Sequence, residues 1–454
     1  MTSKNWKWTE INWFQIEKNL LNQQQLIYNE SKRGCLDQMH QFQRNLLQSF
    51  DAKLVAIRQA TENTNDLKLG VALSHTQKLA LASNLKLNKE PNMTKSLQPI
   101  KKIEKQAKHI LIKLALQPQW EALFEKNSKS LGTSHYKLTQ NLLSILDIQK
   151  PQKIYLIEFS NFSEMDHLKL VTKLSACQEI ETQLHSWLNQ GLLNETSPDL
   201  LWQFMQGKSP YFLRDLLVNI AFTGLEKYLE NWYDLNSKSS NKTASSPKVV
   251  RYKTAFVITI SNQLLFDEMV NQVEIWFKKE IGFLPSQKRF VLSSNGFTFL
   301  GFQFISVRQK KGNFRIQMRP SKESKQRFIK LSRQFIQKNK SASSYTLIRL
   351  LSRLILGWAN YFYFSECKKD FTQLDFVLFQ QIRAWVFRRK SKGFASRTKL
   401  KQKYFPDGNF YFFQGQWYQN NWVLNGQTNQ NSQLKTIFLP KMAWVIVRIK
   451  NQKQ

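Results

Sequence analysis

The chain has 454 residues, and its 42% hydrophobic content is enough for sizeable cores, which excludes a disordered protein and favours roughly two to four domains. Lys and Arg number 67 against 32 Asp and Glu, so the formal net charge of +35 favours an anionic polymer or surface as the partner. The three cysteines lie far apart and have no histidines at metal-ligand spacing, which argues against a disulfide framework and a zinc site. No apolar run reaches the roughly 18 residues that a membrane span needs, so we expect no membrane partner.

The positive charge is concentrated in one part of the chain. Between Val307 and Lys403 there are 25 Lys and Arg residues and 4 Asp and Glu residues, so +21 of the +35 lies in about a fifth of the sequence. A role in general solubility would spread the charge more evenly. The concentration therefore predicts a binding face for a polyanion.

The first part of the chain is predicted to be mainly helical. Residues 6–66 have helical periodicity and include the run SFDAKLVAIRQATENTND, which closes in a polar stretch. Residues 84–104 are polar and contain two prolines, so they are predicted as a loop and a subdomain boundary. The next stretch, HILIKLALQPQWEALFEKNSKSLG, is predicted as a helix followed by a loop.

Two short apolar segments in the middle of the chain predict strands. Lys153 to Phe159 (KIYLIEF) is rich in β-branched and aromatic residues. VVRYKTAFVITI at 249–260 is apolar on both sides of a short polar centre, which is typical of a β-hairpin. Between these segments, residues 236–247 are rich in Ser, Asn and Lys and are predicted as a flexible linker.

Beyond the hairpin, an amphipathic helix is predicted from Leu264 to Ile281, followed by a strand around FLGF at 299–302 whose aromatic residues belong to the core of a sheet. The run VRQKKGNFRIQMRPSKESKQRF that follows is basic and resembles a hairpin in its pattern. At the other end of the chain, residues 406–454 contain short strand-like runs such as FYFFQGQWY and MAWVIVRI.

Charge, aromatic residues and helical periodicity coincide from Tyr345 to Phe405. A first amphipathic helix and a second one are predicted there, and basic residues crowd the end of the second helix. Trp358 and Trp385 lie on the apolar stripes and are expected in the core. The two stripes are Leu347, Leu351, Leu354, Trp358 and Phe362, and then Phe371, Leu374, Leu378, Ile382 and Trp385.

The same region resembles a known family. In order, LIRLLSRLILGWANYF, FTQLDFVLFQQIRAW and RRKSKGFASRTKLKQKYF resemble the maturase-specific, or thumb, domain of the reverse transcriptase/maturase proteins encoded by group II introns. The GWANY core at the end of a helix and the closing KYF, at the right distances, make this a specific signal. The AKLVAIRQ run and FLGF also resemble the family, so the similarity extends over roughly residues 6–405.

The resemblance implies an α+β fold, with a right-hand, reverse-transcriptase-like fingers and palm region and a helical maturase region that is also called the thumb or domain X. The expected domains are an N-terminal helical segment (1–90), a degenerate fingers and palm region (91–310), the maturase-specific domain (311–405) and an aromatic-rich tail (406–454).

The family's catalytic positions are altered in this chain. Active members hold divalent cations with the two aspartates of a YADD hairpin and with one more on an earlier strand, and hard cations such as Mg²⁺ need carboxylate ligands. Here Lys253, Thr254 and Ala255 stand where Ala-Asp-Asp is expected. On the earlier strand the strict spacing gives Ile157, and a deletion of one residue gives Glu158. We therefore expect no catalytic residues and no bound metal.

A third element of the family's active site is also changed. Ser209, Pro210 and Tyr211 stand where the family has a Gln-Gly-Gly turn that holds the template and the incoming nucleotide. The expected protein is therefore not an enzyme and has no cofactor.

The resemblance implies intron-containing RNA as the partner, bound through Lys and Arg contacts to phosphates and through stacking on unpaired bases. The oligomeric state is left open. The expected RNA-binding residues are Arg349, Arg353, Asn360, Arg383, Arg388, Arg389, Lys390, Lys392, Arg397, Lys399, Lys401 and Lys403.

The expected function is help with the folding and splicing of organellar group II, or related group III, introns. Two alternatives stay open, namely an RNA-binding structural factor of ribosomes or other transcripts, and a residual RNA-directed DNA polymerase. The N-terminal residues have no signal or import pattern, so we expect a protein that is made in the organelle where it works, the plastid rather than the mitochondrion.

Overall fold

The computed structural model describes residues 7–65, 73–87, 98–127, 135–146, 152–162, 164–194, 212–236, 246–308, 314–389, 397–430 and 433–445. The chain divides into an N-terminal unit (residues 1–146, 152–197 and 208–291) and a C-terminal unit (residues 147–151, 198–207 and 292–454). Within the described ranges, no helix combines the length and the apolar character that a bilayer span requires.

The N-terminal unit begins with helices, as the sequence predicts. Asn12 starts the first helix by accepting a hydrogen bond from the backbone N–H of Gln15, and Gly34, at a φ of 84°, ends it by donating to the carbonyls of Glu30 and Ser31. The helices of this part are α1 (Trp13–Arg33), α2 (Leu36–Gln48), α3 (Phe50–Asn65), α4 (His75–Asn84), α5 (Gln98–Asn127) and α6 (His135–Ile145).

Helix α5 corrects one prediction. Residues 98–104, predicted as loop, form its first turns. A proline is tolerated in the first helical turn, because the N–H group that it lacks would have no intrahelical partner there. Ile103 is buried, which stabilises the helix at this end. Pro118 lies inside the same helix and frees the carbonyl of Leu114, which accepts a hydrogen bond from Nε2 of Gln24 at 2.9 Å. Helix α1 is therefore hydrogen-bonded to α5 at the carbonyl that Pro118 leaves without its intrahelical donor.

A four-stranded sheet with the order β2-β3-β1-β4 is the centre of the N-terminal unit. Strand β3 pairs antiparallel with both β1 and β2, so the predicted strand and the predicted hairpin are confirmed. The strands are β1 (Lys153–Glu158), β2 (Lys248–Tyr252), β3 (Ala255–Thr259) and β4 (Gln287–Leu292).

The sheet packs on an aromatic core that the surrounding helices complete. The ring of Phe159 lies 4.8 Å from that of Phe222 and 5.0 Å from that of Phe277, measured between centroids. Such ring pairs add to the free energy of burial. The remaining helices of the unit are α7 (His167–Leu174), α8 (Gln178–Asn189), α9 (Phe212–Ala221), α10 (Leu225–Asn236) and α11 (Phe266–Glu280), the last within the predicted range.

The C-terminal unit starts with the FLGF region. Phe302 is fully buried and lies 4.7 Å from the ring of Phe362 and 5.2 Å from that of Tyr361, so this strand packs on the helix that contains GWANY. The boundary between the two units lies between residues 291 and 292, within the range 91–310 that is predicted as one domain. The three-stranded sheet contains β5 (Phe297–Phe299), β6 (Phe302–Arg308) and β7 (Phe314–Pro320).

The two helices predicted after Tyr345 are present, and a further helix precedes them. The helices of this unit are α12 (Lys322–Lys338), α13 (Ser344–Phe362), α14 (Lys368–Phe387) and α15 (Arg397–Tyr404). Ser321 and Ser343 each accept a hydrogen bond from a backbone N–H three residues on, at the starts of α12 and α13. As expected, Trp358 and Trp385 are buried, at 0% and 6% exposed.

The tail forms two β-hairpins, from β8 (Phe410–Phe413) and β9 (Gln416–Gln419), and from β10 (Asn425–Gln430) and β11 (Gln433–Phe438). Trp444 lies in a short 3-10 turn and stacks on Tyr418 and Tyr411 at centroid distances of 4.8 and 5.9 Å. The strand-like pattern of FYFFQGQWY is confirmed. In MAWVIVRI, residues 442–444 are a 3-10 turn instead, and the residues after 445 lie outside the described range.

Candidate nucleic-acid interface

One face of α13 is polar and open to solvent. Arg349, Arg353 and Asn360 are spaced by four and seven residues, which places them along one side of a helix, and all three are exposed. The other side contains Leu351 and Trp358, both 0% exposed. The predicted polar edge of this helix is therefore accessible to a partner, and its contacts with RNA stay a prediction.

Three of the arginines predicted to bind RNA lie near the end of α14 or directly after it, and their surroundings differ. Arg388 is exposed, and Arg383 is exposed with its guanidinium 5.8 Å from the Phe387 ring. Arg389 stacks on Trp385 at 3.7 Å and donates hydrogen bonds to the carbonyls of Lys340 and Ala342. Arg389 thus fixes the connection between α12 and α13, a structural role that the charge pattern did not reveal.

Two predicted residues of this region, Lys390 and Lys392, lie outside the described residues, and α15 begins at Arg397. Arg397 and Lys399 are exposed there. Lys401 forms an ion pair with Asp407 at 2.9 Å and lies 4.9 Å from the Trp422 ring, so part of its charge is used within the protein.

The remaining predicted residue of α15 is Lys403. It is exposed, and its Nζ lies 5.6 Å from the Tyr404 ring. Helix α15 packs against α14, so its exposed cations lie beside those of α14.

The hairpin between β2 and β3 has a cation at its turn. Lys253 has a φ of 53°, and its Nζ lies 2.8 Å from Oδ2 of Asp215 on α9. Glu158, on the neighbouring strand, pairs with Ala255, and the backbone N–H of Phe159 donates to the carbonyl of Thr254 at 3.1 Å. The positions that the sequence analysis compares with a metal site are therefore brought together.

The side chains at this place offer little to a metal ion. Among the described residues, no group of three His, Cys, Asp or Glu side chains lies close enough together to hold one. Glu158 is exposed and Ile157, the alternative position, is buried in the core. Asp215, the nearby carboxylate, is already paired with Lys253.

Two cations of the N-terminal unit, the buried Arg251 and the half-buried Lys173, serve the fold. Arg251 is 4% exposed and donates to the carbonyl of Asn219 at 3.3 Å, and Lys173 donates to the carbonyls of Ala221 and Thr223 at 3.0 and 2.8 Å. Burial lowers the pKa of Arg251 to about 10 and that of Lys173 to about 8. Both groups bind the carbonyl end of α9, where a helix dipole favours positive charge.

Comparisons with known proteins match two parts of the chain. Residues 325–405 match the family described as "Group II intron, maturase-specific domain", and residues 8–85 match "N-terminal domain of reverse transcriptase". The chain is also similar to Maturase-like protein 1 of Euglena gracilis, with 23% identity over 401 residues, which cover 82% of this chain and 81% of the relative.

The chain therefore contains a region that matches a group II intron maturase-specific domain and a region that matches a reverse-transcriptase N-terminal domain, and it is similar over most of its length to a maturase-like protein. Its maturase-specific region covers most of α12 and all of α13, α14 and α15, and it contains every residue that the sequence analysis assigned to RNA binding. The N-terminal match covers α1 to α4.

The maturase-specific region contains cations that the sequence analysis left out of the site. Lys330, Arg333 and Lys338 are exposed on α12, which packs against α13 and α14. The signal was present, because the spacing of apolar residues on α12 leaves these positions on the outer side. The hairpin-like run in the sequence overlaps the start of α12, so the helical pattern is masked there.

Asp375 of α14 attaches the tail to the maturase-specific region. Its carboxylate accepts hydrogen bonds from the backbone N–H groups of Met442 and Ala443, both at 2.9 Å. Burial raises the pKa of Asp375 to about 6, although the two N–H groups and Lys441 oppose the shift. No local pattern predicts this contact, because its partners lie 67 and 68 residues away in the chain.

The raised pKa predicts a specific pH dependence. A carboxyl whose pKa rises from 3.8 to about 6 on folding stabilises the protein below pH 4, and this contribution is lost as the pH rises through 6. Asp375→Asn should remove that loss, which amounts to at most about 3 kcal/mol. Urea unfolding of both proteins between pH 4 and 7 measures the difference. Parallel curves for the two proteins would contradict the prediction.

Proposed function

We infer that this protein binds intron RNA and assists the splicing of organellar group II, or related group III, introns without acting as a polymerase. The observation that carries this inference is the set of exposed cations on α12 to α15, within the maturase-specific region. The similarity to a maturase-like protein of Euglena gracilis supports an organellar setting, for which we propose the plastid ahead of the mitochondrion.

The proposed mechanism leaves the chemistry of splicing to the RNA. Lys and Arg side chains neutralise phosphates where RNA helices come close together, which favours the compact form of the intron. A protein that binds only the folded RNA stabilises it by mass action, in proportion to the logarithm of its free concentration. Exposed residues such as Arg349, Arg353 and Arg388 fit this task because their charges are accessible.

The proposed loss of polymerase activity rests on the side chains at the β2–β3 turn. Lys253, Thr254 and Ala255 supply no carboxylate, and the ammonium group of Lys253 repels a divalent cation. Since Asp215 is paired with Lys253, the described residues around the turn offer no set of ligands for Mg²⁺. We assign no catalytic step to this site.

Primer extension tests the loss of activity directly. With an RNA template, a DNA primer and either Mg²⁺ or Mn²⁺, we expect no extended product from this protein, and a group II intron reverse transcriptase that retains its YADD aspartates serves as the positive control. Extension that survives Asp215→Asn and disappears with Glu158→Gln would instead favour a residual polymerase that uses Glu158.

Crosslinking in the native organelle tests the proposed RNA partner. Intron domains should dominate among the RNAs that are crosslinked to the protein and sequenced. Ribosomal RNA or mature transcripts alone would overturn the splicing role and favour the alternative, an RNA-binding structural factor. The crosslinked peptides should map to α12–α15, and peptides confined to the N-terminal unit would contradict the assigned surface.

A further inference from the structure

A groove of about 950 Å³ lies in the C-terminal unit between the maturase-specific helices and the tail. The start of α13, the end of α14, α15 and the strands β8, β10 and β11 all contribute to its lining. Lys403 supplies an exposed positive charge, and Arg389 adds a guanidinium that is held by Trp385 and two carbonyls. Asn425 and Gln427 supply amide groups. Among the described residues that line it, none is Asp or Glu.

The groove has a fixed wall, because β10 lies directly against the start of α13. A Cβ atom placed on Gly426 would come within 2.7 Å of the backbone nitrogen of Tyr345. Only a glycine fits this contact without a backbone shift. Within the described residues, Nε of Arg389 is buried without a hydrogen-bond partner, although its Nη2 binds two carbonyls.

An aromatic face extends from the groove along the β8–β9 hairpin. Phe412 and Trp417 are directly opposite in the strand register, their ring centroids are 5.1 Å apart, and they are 55% and 67% exposed. Phe410 lines the groove, is 62% exposed and lies two residues from Phe412, on the same face of the strand. Tyr411 and Tyr418 belong to the other face, which packs on Trp444.

Three exposed rings cost free energy in water unless a partner covers them, so their clustering indicates a contact surface. Two features favour a nucleic acid over a protein as that partner. The described lining of the adjoining groove contains Lys403 and Arg389 but no carboxylate, and its amides can pair with the edges of bases. Aromatic side chains beside a basic groove are the arrangement that binds single strands, because every base can stack on a ring.

We propose that the groove and the aromatic face bind an unpaired RNA segment. The bases stack on Phe410, Phe412 and Trp417, and the phosphates follow Lys403 and the start of α13. This site rests on the proposed RNA-binding function and deepens it. The helices α12–α14 provide charge for structured RNA, whereas the tail adds a place for nucleotides that are free of base pairing.

The test compares an oligouridylate of about 12 nucleotides with an RNA duplex of about 16 base pairs, sizes that suit single-strand sites and duplex-binding domains respectively. Trp417→Ala should weaken binding of the oligouridylate about five- to a hundredfold, the range expected for the loss of one stacked base. Trp417→Phe retains a ring and should restore most of the affinity. Binding of the duplex should change less than about twofold, because stacking on an exposed base is not available to paired nucleotides.

The outcomes separate this proposal from the proposed function. An unchanged oligouridylate affinity in the Phe412→Ala/Trp417→Ala double variant overturns the stacking site, and so does a wild-type protein that binds intron RNA but no single strand. A wild-type protein that binds no RNA at all overturns the proposed function itself. Both side chains are exposed, so folding is retained, and photocrosslinking of 4-thiouridine RNA to the wild-type protein gives a test without variants. Crosslinks to the residues that line the groove or to 410–417 support the site, and crosslinks only to other parts of the chain contradict it.

Discussion

Affinity for a folded intron RNA should fall by about 10³ to 10⁵ as the salt concentration rises from about 50 to 200 mM, if the protein contacts roughly six to ten phosphates. Each neutralised phosphate releases condensed counterions, so the affinity depends on a power of the salt concentration. A formal charge of +35 and the exposed cations of α12–α15 make this the largest effect that we expect. A flat response to salt would exclude the proposed mode of binding.

Paired substitutions test whether the salt dependence of RNA affinity arises from the exposed cations of α12–α15. Arg349→Gln/Arg353→Gln removes two exposed charges from α13 and should lower the slope of log affinity against log salt by roughly two. Lys278→Gln/Lys279→Gln removes two exposed charges from α11 and is the matched control, with little expected change. Equal effects of both pairs would show that only the total charge matters.

The arginines at the end of α14 need separate variants. A joint replacement of Arg388, Arg389, Lys390 and Lys392 by Gln should weaken RNA binding, but it also removes the contacts of Arg389 with Trp385 and with the carbonyls of Lys340 and Ala342. Arg388→Gln alone tests charge, since Arg388 is exposed. Arg389→Gln alone should lower the melting temperature as well.

Replacement of Trp358 by Ala should destabilise the protein by roughly 3–5 kcal/mol, the range that is typical for a fully buried aromatic side chain. The ring is 0% exposed and lies 4.4, 5.5 and 5.8 Å from the rings of Phe362, Phe328 and Phe371. It thereby joins α12, α13 and α14. Urea unfolding, monitored by circular dichroism, measures the loss.

Trp358→Phe is the matched control for this prediction. Among the described residues, Nε1 of Trp358 is buried and has no hydrogen-bond partner, so the change to Phe removes volume but no hydrogen bond. We expect a smaller destabilisation from Phe than from Ala, since more of the ring volume is kept. Equal losses for the two variants would mean that the indole group contributes through something other than packing.

Local patterns predicted the elements that depend on neighbouring residues. The strand from Lys153, the hairpin around Lys253 and the helices after Tyr345 all have their periodicity in contiguous sequence, and each is present. The burial of Trp358 followed from its place on an apolar stripe. A prediction from composition alone was wrong for residues 98–104. These polar residues form the start of a helix, in which Ile103 is buried.

The remaining features depend on contacts between distant residues. Arg389 is one of several cations in the sequence, and only the fold brings its guanidinium to the carbonyls of Lys340 and Ala342. The same holds for Asp375 and the tail, and for Gly426 at the start of α13. A charge count identifies a basic region, but it does not separate the cations that hold the fold from those that face a partner.

The ion pair at the β2–β3 turn predicts that this turn and the proposed RNA partner differ in their dependence on magnesium. The ammonium group of Lys253 is part of the chain, so it balances the charge of Asp215 at any Mg²⁺ concentration. An RNA, in contrast, depends on mobile cations to offset its phosphates. If free Mg²⁺ falls, we expect the folded RNA to become less compact while this turn of the protein keeps its conformation.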